Sequence, residues 1–418
     1  MDRSLRIDKY LPVAILYFFL NGVFLPLGIL YTGLLTPVFL IWLMRYPTIK
    51  YLSFFFLLTI PLFFIHYANG IEDYSFYINS YVLAFSVYVF GLAFYQYLNN
   101  CHTLRSVFRK ILLINAAMVP IALICLFIPP LKKVFWYDNN MALGNITVLR
   151  LQMLTYEPSY YSTLFAPIVI YYLLKAFRRE LPNPWLYYFL VLIPLFLSLS
   201  FGVILGISLA FLILLILNSK DTIFKKSNLK YLAGGTALLT GVLVFLFVFY
   251  PDNIFFQRLS KVLSGNDPSF NGRTMDSFIL STIIAGKKSI VFGVGFGQVK
   301  ILGLELFRKF YDYPLFTVHQ IGIPNAIGDT FATLGLVTVA IKLFLEIYFF
   351  FKTKVISNHY RLALFMFIFI YQFTGSFLTN IAEYAIWIMA FKTDLFPEFI
   401  KPTPAKRENP IHNEGHAV

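Results

Sequence analysis

Residues 197–217 read LSLSFGVILGISLAFLILLIL, an apolar stretch without a single charged side chain. A helix needs roughly 20 such residues to cross the roughly 30 Å hydrocarbon layer of a bilayer. Lipid offers no partner to backbone N–H and C=O groups, so a run of this kind must be helical. Similar runs recur along the 418-residue chain, which is 59% hydrophobic and 13% charged. We therefore predict an all-α polytopic membrane protein.

The apolar runs predict about twelve transmembrane helices. We place them at roughly 11–28, 30–45, 51–68, 80–98, 111–130, 158–177, 185–200, 202–218, 231–250, 325–351, 361–378 and 381–392. Several are short for a full span, so the pairs within 11–45, 185–218 and 361–392 could each be one broken or re-entrant element. We expect a single membrane-embedded domain over 1–392. The polar tail 393–418 is expected to be flexible and cytoplasmic.

The formal net charge of +14 could suggest a nucleic-acid partner, but its distribution indicates a membrane. Lys and Arg cluster between alternate apolar runs, as at 105–110 and 175–179. The outer connections near 29, 69–79, 200 and 379 hold neither. Because basic residues concentrate in cytoplasmic loops, both termini are expected in the cytoplasm. The expected partner is therefore the lipid bilayer and not nucleic acid.

Two longer outer segments, 131–157 and 251–324, break this pattern. Long loops between helices are usually functional, and these two are expected to form an extracytoplasmic cap over an active site. The stretch SFILSTIIAGKKSIVFGVGFG (277–297) has apolar residues at helical spacing. We therefore expect the longer loop to carry short amphipathic helices that lie on the membrane surface.

The two outer segments also collect the polar residues that could carry chemistry. Arginine offers a planar fork of donors suited to phosphate, and a carboxylate or imidazole can accept a hydroxyl proton. Structural alternatives stay open: Glu157 could merely cap a helix that begins at Pro158. The candidates on this side are Arg150, Glu157, Arg258, Asn271, Arg273, Asp276, His319 and Asn325.

Other conspicuous features favour structural roles. FGVGFG (292–297) lacks the strand–helix context of a nucleotide-binding loop and is expected to form a tight turn. Lys342 and Glu346 are four residues apart within a helix and are expected to form a structural ion pair. Cys101 and Cys125 show no spacing typical of a disulfide or metal site, so we expect no metal and no cofactor.

Four motifs, in order, resemble one known group of proteins over roughly residues 145–350. EPSYY (157–161) is similar to a segment common in bacterial polysaccharide polymerases, and the stretch 197–217 to two helices joined at a Ser-x-Gly break. NGRTMDSFILSTIIAGKKSIVFGVGFGQV (271–299) and VHQIGIPNAIGDTFATLGLVTVAI (318–341) are similar to the two motifs that follow. The chain resembles the superfamily of O-antigen polymerases and O-antigen ligases.

This resemblance implies an inverting, metal-independent glycosyltransferase with a GT-C-like membrane fold. Its donor would be an undecaprenyl-pyrophosphate-linked oligosaccharide, used on the periplasmic face of a bacterial inner membrane. Possible further partners are a chain-length regulator and a flippase. We assign Glu157 as the base that activates the acceptor hydroxyl, with His319 as the other candidate, and Arg273 and Arg150 as clamps for the pyrophosphate. The remaining substrate-binding candidates are Tyr156, Arg258, Asp276 and Asn325.

Three functions remain open at this stage. In a repeat-unit polymerase the acceptor is another lipid-linked repeat unit, and EPSYY favours this function. An O-antigen ligase would transfer the same glycan to the lipid A core. A lipid-linked oligosaccharide flippase or transporter would instead need charged groups lining a central cavity through the helices.

Overall fold

A computed structural model describes residues 22, 25, 29–101, 103–139, 148–217, 264–265 and 267–401. These residues are mostly helical, with fifteen α-helices among them, so the predicted helical class is confirmed. The predicted helix 231–250, nearly all of the predicted helix 11–28 and most of the tail lie outside the described residues. The helices are α1 Tyr31–Leu34, α2 Thr36–Leu43, α3 Leu52–Ala68, α4 Tyr74–Asn100, α5 Arg105–Cys125, α6 Pro129–Phe135, α7 Pro158–Phe177, α8 Pro184–Leu197, α9 Phe201–Leu217, α10 Pro268–Arg273, α11 Met275–Gly286, α12 Gln298–Phe310, α13 Ala326–Lys352, α14 His359–Tyr371 and α15 Ile381–Phe391.

Five helical segments in the described part of the chain are long and apolar enough to cross a membrane. They are Pro47–Ala68, Tyr74–Asn100, Arg105–Cys125, Pro158–Phe177 and Ala326–Lys352. The first joins the 3₁₀ turn Pro47–Tyr51 to α3. Shorter apolar helices, among them α8, α9, α14 and α15, accompany these five. The lengths and composition of these helices are therefore those of a helical membrane protein.

Helix α7 occupies the centre of the bundle. It is buried along most of its length and packs against α8, α9, α14 and α15. By contrast, α3 and α13 turn most of their apolar surface outward. A helix that is apolar all round and covered by other helices is a core helix, whereas outward apolar surface suits contact with lipid. Glu157, which immediately precedes α7, thus lies at one end of the central helix of the bundle.

The outer segment 131–157 contains a β-hairpin that the all-helical expectation did not include. Strands β1 Trp136–Asn139 and β2 Val148–Leu151 pair antiparallel, with Trp136 opposite Leu151. The indole Nε1 of Trp136 donates to the carbonyl of Ala122 at 2.7 Å, which fixes the hairpin to α5. In the other outer segment, α12 is amphipathic, because it buries Val299 and Phe307 and exposes charged residues, although the stretch that suggested amphipathic helices, 277–297, lies before it.

Helix α13 is broken at Gly335, whose φ of 79° and ψ of 178° are not helical. The glycine-rich turn inserts its backbone at the break: Val294 N donates to Ala332 O at 2.9 Å, and Leu336 N donates to Ile290 O at 3.0 Å. A helix buried in apolar surroundings can be interrupted only where other protein groups satisfy its backbone. The expected tight turn of FGVGFG is therefore present, with Gly293, Gly295 and Gly297 at positive φ, and it completes the broken helix.

We expect the replacement Gly335→Ala to destabilise the protein by about 2–5 kcal/mol, since it combines a left-handed backbone with steric overlap. A Cβ atom at Gly335 would overlap the carbonyl oxygen of Val291. Gly286→Ala is the matched control, because nothing lies within 4 Å of its added Cβ. The thermal transition of the purified protein in detergent measures both; equal transitions for the two variants would contradict the packing described here.

Candidate active site

A pocket of about 130 Å³ lies where the N-terminal ends of α7 and α15 meet the C-terminal end of α14. Its wall combines one carboxylate, one guanidinium, hydroxyls and one amide, together with proline and phenylalanine. Such a mixture of opposite charges and neutral polar groups in a concave site is typical of ligand-binding pockets. The lining residues are Glu157, Ser159, Tyr160, Arg273, Pro324, Tyr371, Ser376, Phe377 and Asn380.

Glu157 holds the expected position before Pro158, but its carboxylate does not cap the helix. Its backbone is extended, and its side chain accepts no hydrogen bond from the N–H groups of α7. The carboxylate instead accepts the Ser159 hydroxyl proton and lies 3.5 Å from Arg273, between its Oε1 and an Nη atom. Glu is a poor cap compared with Ser, Thr, Asp or Asn. The structure therefore does not support the alternative that Glu157 merely caps α7.

Glu157 and Arg273 form a loose ion pair inside the pocket. Their side chains are 32% and 28% exposed. Ion pairs with this much solvent contact contribute little to stability, because water screens the attraction. Either partner can consequently be drawn to a bound ligand at low cost.

Asn325 places Arg273 at the pocket. Its Nδ2 donates to the backbone carbonyl of Arg273 at 2.9 Å and to that of Phe373. Its Oδ1 accepts from Gly328 N at 2.9 Å and so caps α13. One fully buried amide thereby ties the end of α10, the start of α13 and the chain after α14 together. The predicted substrate-binding residue Asn325 is thus found directly behind the site, on the backbone of Arg273.

We expect Asn325→Ala to destabilise the protein by about 2–4 kcal/mol, since it removes a helix cap and leaves two buried carbonyls without their donor. Any activity of the pocket should fall further than the folded fraction does, because Arg273 loses its backbone anchor. Comparing the thermal transition with activity per folded molecule separates these effects. Activity that follows the folded fraction alone would show that Asn325 has no positioning role.

Arg150 is buried elsewhere in the same region. It is 5% exposed, and its Nε donates to Ser198 O at 3.1 Å. An Nη atom lies 3.4 Å from the hydroxyl of Ser200. The guanidinium therefore fastens the β-hairpin to the turn between α8 and α9. It is not among the residues that line the pocket, and its role as a pyrophosphate clamp stays a prediction.

The other predicted site residues do not line the described pocket. Tyr156 packs at a tilt against the pocket residue Tyr160, with ring centroids 4.7 Å apart. His319 is exposed, and its ring centroid lies 6.0 Å from that of Phe76. Arg258 lies outside the described residues.

Asp276, predicted to bind substrate, bonds to a tyrosine. Its Oδ2 accepts the hydroxyl proton of Tyr311 at 3.2 Å. Burial raises the pKa of the Tyr311 hydroxyl, and the charge of Asp276 adds to this effect, so the proton stays on the tyrosine. This bond joins α11 to the end of α12, and Arg273 remains available to Glu157.

Sequence reasoning missed the connection between α14 and α15, residues 372–380. The predicted helix 361–378 extended into this segment, whereas α14 ends at Tyr371, and only the connection near 379 was expected to be an outer loop without Lys or Arg. In the structure it supplies Ser376, Phe377 and Asn380 to the pocket. The sequence did contain a signal for this segment. QFTGSFLTN (372–380) places six polar or small residues between two apolar runs, more than a short connection between two hydrophobic helices requires.

Comparisons with known proteins name no family for this chain. A scan against models of protein families finds no match. A search of curated proteins also finds none.

Proposed function

We propose that this protein is a polysaccharide polymerase that transfers a growing glycan from undecaprenyl pyrophosphate to a sugar hydroxyl of another lipid-linked repeat unit. The observation that carries the proposal is the meeting of Glu157 and Arg273, from distant parts of the chain, at one partly exposed pocket. A base for a hydroxyl and a cation for a diphosphate are the two groups that such a transfer requires.

In the proposed reaction, the acceptor hydroxyl oxygen attacks the anomeric carbon of the donor sugar. The bond between that carbon and the diphosphate oxygen breaks, the configuration inverts, and lipid diphosphate leaves with the electron pair. Arg273 neutralises the charge that develops on the leaving oxygen. Glu157 takes up the hydroxyl proton.

The loose ion pair suits this sequence of events. A diphosphate carries more negative charge than a carboxylate and competes for the Arg273 fork. Once Arg273 turns to the diphosphate, the Glu157 carboxylate keeps only the Ser159 hydroxyl as a partner and is free to face the acceptor hydroxyl. Donor binding thereby prepares the base before the acceptor reacts.

We further propose that the pocket opens to the periplasm, in a GT-C-like fold of about twelve transmembrane helices within a bacterial inner membrane. Helix α7 supports this orientation: its 20 residues extend over about 30 Å, the thickness of the hydrocarbon layer. Glu157 precedes its first turn, and Lys175 lies in its last turn.

The far end of α7 carries the charges expected at a cytoplasmic surface. Arg105 pairs with Glu398 at 2.7 Å, Lys175 lies 3.7 Å from the same carboxylate, and Arg178 bonds to the Glu398 carbonyl. Although burial opposes it, the hydrogen bond from Arg105 leaves the pKa of Glu398 below its usual value. Three residues assigned to the cytoplasm thus gather at one place, opposite the pocket.

Deletion of the gene, followed by gel analysis of the surface glycan, tests the function. A strain without its polymerase shows the core with a single repeat unit. Bare core, with polymerised glycan still on undecaprenyl, would identify a ligase. Single lipid-linked units confined to the inner leaflet would identify a flippase. Either of the last two results would overturn the proposal.

A further inference from the structure

A hydrogen-bonded chain of buried charges runs from the pocket wall into the helix bundle. Lys342 Nζ lies 2.6 Å from Glu383 Oε1 and 3.6 Å from Glu346 Oε1. The expected pair Lys342–Glu346 is therefore present, but Glu383, on α15, is the nearer partner. Glu346 also accepts from Gln372 Nε2 at 2.8 Å. Lys342 therefore lies between two carboxylates, and the Glu383 carboxylate, which binds it through Oε1, acts as a hydrogen-bond acceptor.

The second oxygen of Glu383 faces the pocket wall. Its Oε2 accepts the hydroxyl proton of Ser376 at 2.6 Å, and Ser376 Oγ accepts from Asn380 Nδ2 at 2.9 Å. Ser376 and Asn380 line the pocket and are 5% and 3% exposed. Ser376 also has a left-handed backbone, with φ of 67°, a strained conformation for a residue other than glycine. The backbone conformation of Ser376 and its hydrogen bond to the Glu383–Lys342 ion pair therefore fix this residue in the pocket wall.

This arrangement commits the Ser376 proton to Glu383, so that Ser376 can offer only a lone pair to the pocket. A lone pair repels phosphate oxygens, which are themselves acceptors, and attracts a hydroxyl proton. We infer that Ser376 binds a hydroxyl of the acceptor sugar, and that Glu383, paired with Lys342, is the positioning residue that fixes the direction of the Ser376 hydroxyl. This inference rests on the proposed function and adds a second substrate contact to it, separate from the diphosphate contact at Arg273.

Glu383→Gln tests the direction of the hydrogen bond with little change in volume. The ammonium of Lys342 holds the amide oxygen of the new side chain, and the amide NH₂ then faces Ser376. With donors from both this new amide and Asn380, the Ser376 hydroxyl must turn its proton into the pocket.

The assay uses the full-length protein in nanodiscs and lipid-linked repeat units extracted from the deletion strain. We expect Glu383→Gln and Ser376→Ala each to raise the apparent KM for the repeat unit by about tenfold, with kcat within about twofold of wild type. The double variant should be no worse than either single variant, because both act on one hydrogen bond. Ser86→Ala, a buried serine bonded within α4, is the matched control.

Two further measurements separate this role from a merely structural one. In Lys342→Met with Glu383→Gln, the amide is free to turn its oxygen to Ser376, and the KM should recover towards wild type. Inorganic pyrophosphate, used as an inhibitor that probes Arg273, should bind all these variants as it binds wild type.

Three results would overturn the inference while leaving the polymerase intact. They are an unchanged KM in Ser376→Ala, a Glu383→Gln defect that only follows loss of thermal stability, or tighter pyrophosphate inhibition in Glu383→Gln, which would place Ser376 against the diphosphate. A wild-type protein that extends no chain in this assay would instead overturn the proposed function, and the inference with it.

Discussion

Glu157→Gln should reduce chain growth by about 10²–10⁴-fold, the usual contribution of a general base. Glutamine keeps the size of the side chain and can still bond to Ser159, but it cannot take up the acceptor proton. Folding should be preserved, because the Glu157 side chain makes no capping bond to α7 and its ion pair with Arg273 is loose and partly exposed. The rate of repeat-unit polymerisation by purified protein, with the glycan ladder in a complemented deletion strain, measures the effect.

Glu305→Gln is the matched control for this experiment. Glu305 also pairs with an arginine, at 2.7 Å from Arg308, but it is exposed on α12 and does not line the pocket. Its replacement should leave the ladder unchanged. A normal ladder from Glu157→Gln, with expression equal to wild type, would remove Glu157 from the role of base and leave His319 as the remaining candidate.

Arg273→Ala should lower activity by about 10²–10³-fold, since it removes the cation that we propose neutralises the leaving diphosphate. Arg273→Lys keeps the charge but replaces a planar fork by a single ammonium, so we expect an intermediate loss with a raised KM for the donor. Inhibition by inorganic pyrophosphate should weaken in the same order. The two variants together distinguish a need for charge from a need for two parallel hydrogen bonds.

Arg308→Lys serves as the control for Arg273→Lys, because both arginines pair with a glutamate and lie near the surface. We expect full activity from the control. If Arg273→Ala polymerised at the wild-type rate, the diphosphate would have to bind elsewhere, and the proposed partner exchange between Arg273 and Glu157 could not operate.

Local sequence determined some of the helices closely, whereas others differ from prediction, as where 361–378 ends at Tyr371. The predicted helix 158–177 agrees with α7 at both ends, and 51–68 agrees with α3 to within one residue. These boundaries follow from runs of apolar residues and from Pro158 at a first helical position, which act over neighbouring residues only. The hairpin of 136–151 was not predicted, since its strands are only four residues each and are separated in the sequence by the segment that connects Asn139 to Val148.

The site was predicted in its chemistry but not in its contacts. Glu157, Arg273 and Asn325 were recognised as candidates from residue type and position, and the fold brings the first two into one pocket with the third bonded behind them. Arg150 was a candidate on equal grounds, yet it bonds to Ser198. Sequence alone could not separate these arginines, because their partners lie in segments that are distant in the sequence.

What only tertiary structure decided is how distant elements complete one another. Lys342 was assigned to Glu346 by helical spacing, but its closer contact is Glu383, and through it Ser376. The break at Gly335 likewise exists only because the turn at 290–295 supplies the missing hydrogen bonds. Helices form from the apolar character and hydrogen bonds of neighbouring residues, whereas buried charges and interrupted backbone depend on whichever segment packs against them, and that is set by the whole fold.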